Sequence, residues 1–339
     1  MAHPRFSLAL QGADALPASG RVLLTGPRAA ADLSIFPKDR TVVVQGFYPD
    51  HAALARHGWH VVPSIAEAGD GFAAAVVVLP RARGEARARI AGATAKVVAG
   101  GPVWIDGQKT DGVDSMIRDI RSRVAISAPL AKAHGKIFRF AAGPEFDDWM
   151  ATPLCPAPGF TTMPGVFAAD RPDRGSELLA AALPGDLSGH VVELGAGWGF
   201  LATAILARPD VMSLDLIEAD HAALECARAN VTDPRAHFHW ADATLFKSDG
   251  RPATVVTNPP FHVGRAADPA LGAAFIAAAA EMLAPQGRLY LVANRHLPYE
   301  AVLRANFREV AEIGGDSGFK IFAAARPVAV APATARPRR

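Results

Sequence analysis

The segment HVVELGAGWGF, residues 190–200, determines how the C-terminal half of this 339-residue chain is expected to fold. An apolar strand, His190–Gly195, leads into a glycine-rich turn, and a helix begins at Phe200. Glycines allow positive φ and a close approach of the backbone to a ligand. The spacing is G-x-G-x-G, which differs from the G-x-G-x-x-G of dinucleotide folds. The segment predicts a ligand site at the switch point of a doubly wound parallel sheet.

Strands alternate with helices on the C-terminal side of this segment. Further strands are predicted at 211–218, 237–243, 253–260, 287–294 and 319–325, and helices at Phe200–Arg208, Ala222–Asn230 and Pro269–Leu283. The alternation is typical of a parallel sheet with helices on both faces.

The N-terminal half repeats this pattern in outline. Residues 21–26 resemble residues 190–195, the string Asp-His-Ala-Ala-Leu occurs at both 50–54 and 220–224, and residues 76–80 resemble 254–259. We interpret the matches as an internal duplication. The N-terminal copy has Thr25-Gly26-Pro27-Arg28 in place of the glycine-rich loop and Leu79-Pro80-Arg81 in place of Asn-Pro-Pro. Only the C-terminal copy is therefore expected to be active.

Composition excludes several classes of protein. Half of the residues are apolar, 20% are charged and the net charge is +2, a balance that does not by itself indicate a nucleic-acid partner. Two cysteines, Cys155 and Cys226, form neither a disulfide framework nor a metal site. We expect no metal, no signal peptide and no membrane span, and hence a soluble cytoplasmic protein.

Three acidic residues are predicted at the ends of consecutive strands beside the glycine loop. Glu193 is suited to face the cationic methionine moiety of S-adenosylmethionine, Glu218 to accept hydrogen bonds from both ribose hydroxyls, and Asp242 to bind the adenine amino group. Each acid alone could be a solvated strand-end residue or a helix cap. Together they favour a cofactor site for S-adenosylmethionine.

The tetrapeptide Asn258-Pro259-Pro260-Phe261 follows an apolar strand. Two prolines stiffen the turn and remove two backbone donors. The Asn258 side-chain oxygen and the Pro259 carbonyl can accept hydrogen bonds from an exocyclic amine, which would favour the tetrahedral nitrogen of the transition state. Phe261 offers a face on which a flipped-out base can stack. The alternative is a proline turn with Phe261 in the core.

The chain resembles the ribosomal RNA small-subunit guanine-N2 methyltransferases, which carry an inactive class I methyltransferase-like domain before an active one. The segments that carry the resemblance are 107–115, 132–136, 164–167 with Asp173 and Gly175-Ser176, 258–264, 293–294, 297–299 and 318–320. The fold class that the resemblance implies is α/β, with two tandem Rossmann-like class I methyltransferase domains. The domains would be 1–150, degenerate and used for RNA recognition or support, 151–325, catalytic, and 326–339, a disordered basic tail.

The predicted site falls into three groups. Catalysis is assigned to Asn258, Pro259, Pro260 and Phe261, and cofactor binding to Glu193, Gly195, Ala196, Gly197, Gly199, Glu218, Asp242, Ala243 and Asn258. Substrate contacts are assigned to Phe167, His262, Arg295 and Lys320.

Three functions remain open at this point. The first is methylation of a guanine N2 in 16S ribosomal RNA by a monomer that acts on the RNA or the small subunit. The second is amine methylation of 23S ribosomal RNA or of another substrate, such as DNA adenine or protein glutamine. The third is a catalytically silent RNA-binding assembly factor.

Overall fold

A computed structural model gives the structure of the chain and describes residues 4–11, 16–260 and 269–328, together with the backbone of 262–263 and 266–267. The chain divides into two compact units. The first comprises Met1–Leu154, Thr162–Ala169 and Asp220–Ala222, and the second comprises Cys155–Thr161, Asp170–Ala219 and Ala223–Arg339. The division at residue 150 made from the sequence stays a prediction.

The first unit contains one seven-stranded sheet in the order β3-β2-β1-β4-β5-β7-β6. Strands β3, β2, β1, β4 and β5 run parallel, whereas β7 is antiparallel to both β5 and β6. The elements are α1 Pro4–Ala9, β1 Val22–Thr25, β2 Thr41–Val44, α2 Tyr48–Arg56, β3 His60–Val62, β4 Ala74–Val78, α3 Arg83–Lys96, β5 Pro102–Gln108, α4 Val113–Arg121, β6 Leu130–Lys132 and β7 Gly135–Ala141.

The second unit repeats the topology, with the order β10-β9-β8-β11-β14-β16-β15. Strands β10, β9, β8, β11 and β14 are parallel, and β16 is antiparallel to its two neighbours. The elements are α5 Arg174–Ala182, β8 Gly189–Leu194, α6 Phe200–Leu206, β9 Val211–Glu218, α7 His221–Asn230, β10 Ala236–Trp240, β11 Thr254–Thr257, β12 His262–Val263, β13 Ala266–Ala267, α8 Pro269–Met282, β14 Arg288–Asn294, α9 Tyr299–Asn306, β15 Phe307–Gly315 and β16 Phe319–Pro327.

The shared strand order confirms the predicted fold class of two tandem α/β domains with Rossmann-like sheets. The order reverses between β8 and β11 in the second unit and between β1 and β4 in the first. Ligands of doubly wound sheets bind beyond the carboxyl ends of the strands at such a reversal. The fold therefore places the end of β8, with its glycine loop, beside the end of β11, with its Asn-Pro-Pro turn.

The central strands are buried on both faces, which explains why they appear as continuous apolar runs in the sequence. Val191 and Val192 of β8 and Val255 and Val256 of β11 are all fully buried. Burial of one such side chain contributes about 1.5–3 kcal/mol relative to leaving it exposed. Packing on both faces of the sheet therefore fixes the ends of β8 and β11, and with them the residues that follow these strands.

Several elements differ from the sequence predictions. Helices α5 and α9 and strand β15 are absent from the sequence predictions, and β10 ends at Trp240 instead of 243. β15 is an edge strand with mostly exposed side chains, so it lacks the apolar run that identified the other strands. β16 reaches Pro327, where it pairs with Phe307, so the first two residues of the predicted disordered tail lie in a strand. Residues 329–339 of that tail lie outside the described residues.

Candidate active site

Hydrogen bonds join the ends of four neighbouring strands in the second unit. The Thr257 hydroxyl donates to the Leu194 carbonyl at 2.8 Å, which joins the end of β11 to the end of β8. The Gly195 amide donates to the Ile217 carbonyl of β9 at 2.9 Å, and the Ala241 amide donates to the Glu218 carbonyl at 3.0 Å. The predicted residues that follow β8, β9, β10 and β11 are thereby brought to one edge of the sheet.

The glycine loop adopts the backbone conformation that its sequence requires. Gly195, Gly197 and Gly199 have φ of 75°, 56° and 90°, in the region that favours glycine. A Cβ on Gly199 would lie 2.7 Å from a Val231 methyl group, so this glycine permits close helix packing. A Cβ on Gly197 would meet no atom within 4 Å. Gly197 therefore borders open space at the edge of the sheet, where a ligand would fit.

Glu218 orders this loop from the neighbouring strand. Its Oε2 accepts a hydrogen bond from the Gly197 amide at 2.7 Å. A charged acceptor makes such a bond stronger than a neutral one would. Glu218, the last residue of β9, is partly exposed, so its carboxylate borders both the loop and the solvent.

Glu193 lies beneath the loop and is almost completely buried, with 1% of its surface exposed. Its Oε2 has no hydrogen-bond partner among the described residues. Burial raises the pKa of Glu193 well above its ordinary value, and the negative charge of Glu218 raises it further. A buried carboxyl that lacks a partner is costly, and a cation bound nearby would offset that cost. The chemistry of this acid and the open space at Gly197 fit the cationic methionine end of S-adenosylmethionine.

Asp242 lies in the turn that follows β10, two residues beyond the end of the strand. Its Oδ1 accepts hydrogen bonds from the Thr244 amide at 2.9 Å and the Thr244 hydroxyl at 2.6 Å. Ala243 is buried beside it. The structure therefore gives Asp242 a turn-stabilising role, and adenine binding by this residue stays a prediction.

Asn258, the first residue after β11, is held by two residues of the α5 N-terminus. Its Nδ2 donates to Asp173 Oδ2 at 2.9 Å and to Ser176 Oγ at 2.8 Å. Both amide hydrogens are thus engaged, and this fixes the orientation of the side chain with Oδ1 on the opposite branch. Asp173 is also the N-cap of α5, since the same Oδ2 accepts from the Ser176 amide at 2.9 Å.

The sequence analysis assigned no catalytic role to Asp173 or Ser176. An Asp directly before an apolar-periodic segment is a helix-start signal, and the sequence contains it at Asp173. The pairing with Asn258 was not available, because it joins residues 85 positions apart.

The rest of the catalytic motif is described in part. Pro259 is buried and Pro260 is exposed. Phe261 lies outside the described residues, and so does the side chain of His262, whose backbone forms the short strand β12. The assigned roles of Phe261 and His262 stay predictions.

The other predicted substrate residues have intramolecular partners or lie in the other unit. Arg295 pairs with Glu312 at 3.0 Å and donates to the Asp316 carbonyl, and Lys320 forms an ion pair with Glu300. Phe167 is 65% exposed and belongs to a segment of the first unit. RNA contacts by these three residues stay predictions.

Trp198, a bulky residue in the glycine loop, packs away from the open space. It is 3% exposed and lies against Phe160 and Phe200, with ring centroids 5.1 and 5.6 Å away. Asn230 supports the same region by donating to the Trp198 carbonyl at 2.9 Å. The indole therefore anchors the loop in the core.

The corresponding edge of the first unit is filled by protein side chains. A Cβ on Gly26, the counterpart of Gly195, would collide with the Arg89 guanidinium, which donates to the Val78 carbonyl at 2.9 Å. Gln45, which follows β2, donates to the Pro27 carbonyl at 2.7 Å and takes the place that Glu218 has in the second unit. The first unit thus has an arginine against Gly26, whereas a Cβ on Gly195 in the second unit would meet the Phe275 ring at 3.4 Å.

The described residues show neither a metal cluster nor a membrane span. They contain no group of three or more His, Cys, Asp or Glu side chains that could hold a metal ion. No helix among them is long and apolar enough to cross a membrane.

Comparisons with known proteins agree with this architecture. Residues 158–323 match the model of the methyltransferase small domain family. The chain is 28% identical over 269 residues to ribosomal RNA small subunit methyltransferase C of Aeromonas hydrophila, covering 74% of this chain and 76% of that one. It is 29% identical over 268 residues to the protein of the same name from Serratia proteamaculans, with coverage of 77% and 76%. A solved structure of the T. thermophilus 16S rRNA N2 G1207 methyltransferase, in complex with AdoMet and guanosine, superposes with a TM-score of 0.79 at 21% identity, covering 95% of this chain and 92% of that one.

The fold, the glycine loop and the Asn-Pro-Pro turn define a class I methyltransferase. Residues 158–323 therefore form a methyltransferase small domain. The resemblance identified from the sequence motifs is therefore confirmed.

Proposed function

We propose that the second domain transfers a methyl group from S-adenosylmethionine to the exocyclic N2 amine of a guanine in 16S ribosomal RNA. The observation that carries the chemistry is the fixed orientation of Asn258 beside the glycine loop. The relatives named above, which are similar over three quarters of the chain, supply the substrate class.

The cofactor site is proposed at the carboxyl ends of β8, β9 and β10. Gly195, Gly197 and the Glu218 carboxylate form its cradle, and below it lies the buried Glu193 carboxyl, whose ionised form a bound cation would stabilise. S-adenosylmethionine, when bound, supplies an electrophilic methyl group. The partly exposed Glu218 carboxylate is suited to accept hydrogen bonds from ribose hydroxyls.

Asn258 would act on the amine nucleophile. The lone pair of a guanine N2 is delocalised into the ring, so the amine is a weak nucleophile. Hydrogen bonds from its two N–H groups to Asn258 Oδ1 and the Pro259 carbonyl would favour a tetrahedral nitrogen and direct its lone pair outward. Asp173 and Ser176 act through Asn258, because they prevent the amide from rotating. The methylated amine then loses a proton to solvent without a strong general base.

The first domain is proposed to support RNA recognition, since its own ligand edge is filled by Arg89. We also propose that the protein acts as a monomer in the cytoplasm, where its ribosomal substrate is assembled.

Methyl transfer from labelled S-adenosylmethionine to 30S subunits, 50S subunits and total RNA tests this function. The RNA must come from cells that lack the gene, and labelled nucleosides are identified by mass spectrometry. We expect N2-methylguanosine in the 30S fraction. Label in the 50S fraction alone would move the proposal to 23S ribosomal RNA, and cofactor binding with no label anywhere would support a silent assembly factor.

A further inference from the structure

A cavity of about 390 Å³ lies in the first unit, beside the turn between β6 and β7. Its lining includes Lys109, Lys132, Lys136 and His134, with Asp114 as the single acidic residue. The two segments that form it, around 107–115 and 132–136, are both part of the sequence resemblance, and the catalytic account uses neither of them.

The lysines leave an excess of positive charge. Lys136 pairs with Asp114 at 2.7 Å. Lys109 and Lys132 are exposed, and within the described part of the chain neither has an acidic partner in salt-bridge contact. The pKa of Asp114 is lowered by the hydrogen bond from Lys136 and also by the charges of Lys109 and Arg118. Several cations therefore converge on one acid.

The turn between β6 and β7, which follows Lys132 and contains His134, has a constrained backbone. Ala133 and His134 have φ of 49° and 58°, an unfavourable region for residues other than glycine. Such conformations persist where surrounding contacts impose them. The Lys109 amide donates to the His134 carbonyl at 2.9 Å, which joins the turn to the end of β5.

A buried ion pair supports the turn from below. Arg5 and Asp106 are both fully buried, with Nε–Oδ1 and Nη2–Oδ2 distances of 2.5 and 3.0 Å. Arg5 Nη1 also donates to the Lys132 carbonyl at 3.0 Å. The exposed lysines and His134 are therefore presented by a fixed backbone.

We propose that this cavity, the lysine pocket, binds the phosphodiester backbone of the RNA substrate. The inference rests on the proposed function, because it presumes that the substrate is RNA. Phosphate is the expected ligand, since ammonium groups act as point charges toward it and the lining residues include no Phe, Tyr or Trp on which a base could stack. The contacts would position the RNA without reading its sequence.

The test compares two double variants of the full-length protein. Lys109→Gln/Lys132→Gln removes two charges from the pocket, and Arg56→Gln/Arg121→Gln removes two exposed charges that do not line it. Each phosphate contact contributes roughly 0.7–0.9 to the slope of log K against log salt, so the pocket variant should lose about 1.4–1.8 of that slope. The ratio of the wild-type RNA affinity to that of this variant should then fall about tenfold between 50 and 200 mM salt. The control variant should keep the wild-type slope.

Filter binding to protein-free 16S ribosomal RNA measures both slopes, with heparin as a second polyanion. An additional variant, Asp114→Asn, should bind the RNA more tightly, because it removes the acid and releases Lys136. Equal slopes for the two double variants would overturn the proposal, and so would a loss of heparin binding with unchanged RNA binding. Failure of the proposed function is a separate result, since the wild type would then form no N2-methylguanosine.

Discussion

The substitution Asp173→Asn tests whether the N-terminus of α5 orients the catalytic amide. Asp173 Oδ2 accepts from Asn258 Nδ2 and also from the Ser176 amide. Asn is as good an N-cap as Asp, so this change keeps α5 and removes only the charge.

The expected magnitude follows from the two hydrogen bonds of Asn258. A bond to a charged acceptor contributes about 1.5–3 kcal/mol, and a neutral bond about 1 kcal/mol. In the variant the bond to residue 173 becomes neutral, and a rotated Asn258 amide can accept from the new side chain. A loss of about 1–1.5 kcal/mol in orientation corresponds to a fall in kcat of about fivefold to tenfold.

Steady-state methyl transfer, cofactor titration and thermal unfolding should be measured on the same preparations. We expect a lower kcat with unchanged cofactor affinity and nearly unchanged Tm. Glu177→Gln serves as the control, because it removes an exposed charge from the same helical turn without contacting Asn258. A wild-type kcat in Asp173→Asn would refute the orienting role. Equal losses of kcat in both variants would show that the loss comes from the negative charge at the N-terminus of α5 and not from the contact with Asn258.

Three further predictions concern binding and stability. Gly197→Ala should weaken cofactor binding measured by calorimetry, whereas Gly250→Ala, which also has positive φ and open space, should not; equal affinities would contradict the proposed cradle. The raised pKa of Glu193 makes the folded state hold a proton that the unfolded state releases above about pH 4.5, so its stabilising effect is lost as pH rises toward the folded pKa. Glu193→Gln should therefore raise the Tm of the cofactor-free protein increasingly from pH 5 to pH 8, and a pH-independent difference would show that the carboxyl is ionised when folded. Arg5→Ala should lower the free energy of unfolding by about 3–5 kcal/mol in urea titrations, because it leaves Asp106 buried without its charge partner, and a loss below about 1 kcal/mol would contradict this.

The sequence predicted features that depend on local pattern. Apolar runs identified the central strands, and the glycine spacing identified the positive-φ loop after β8, because burial and positive φ impose those residue types locally. β15 escaped prediction because an exposed edge strand has no such constraint.

Contacts between residues that are far apart in the sequence could not be predicted from local patterns. Asp173 and Asn258 are 85 positions apart, and only the packing of α5 against the sheet brings them together. Arg295 and Lys320 follow site motifs in the sequence, which predicted contacts with RNA, yet they pair with Glu312 and Glu300. A pattern of residues shows where a strand ends, but it does not show which side chains neutralise a charge there.

We propose that Asn258 directs methyl transfer to guanine N2 in 16S ribosomal RNA. The most direct measurement is the N2-methylguanosine content of 16S ribosomal RNA from cells that lack the gene, complemented with wild-type protein or with Asn258→Ala. We predict that one N2-methylguanosine is absent from the deletion strain, is restored by the wild type and is not restored by Asn258→Ala, although the variant still binds S-adenosylmethionine. Full restoration by Asn258→Ala, or an unchanged content of this nucleoside in the deletion strain, would contradict the claim.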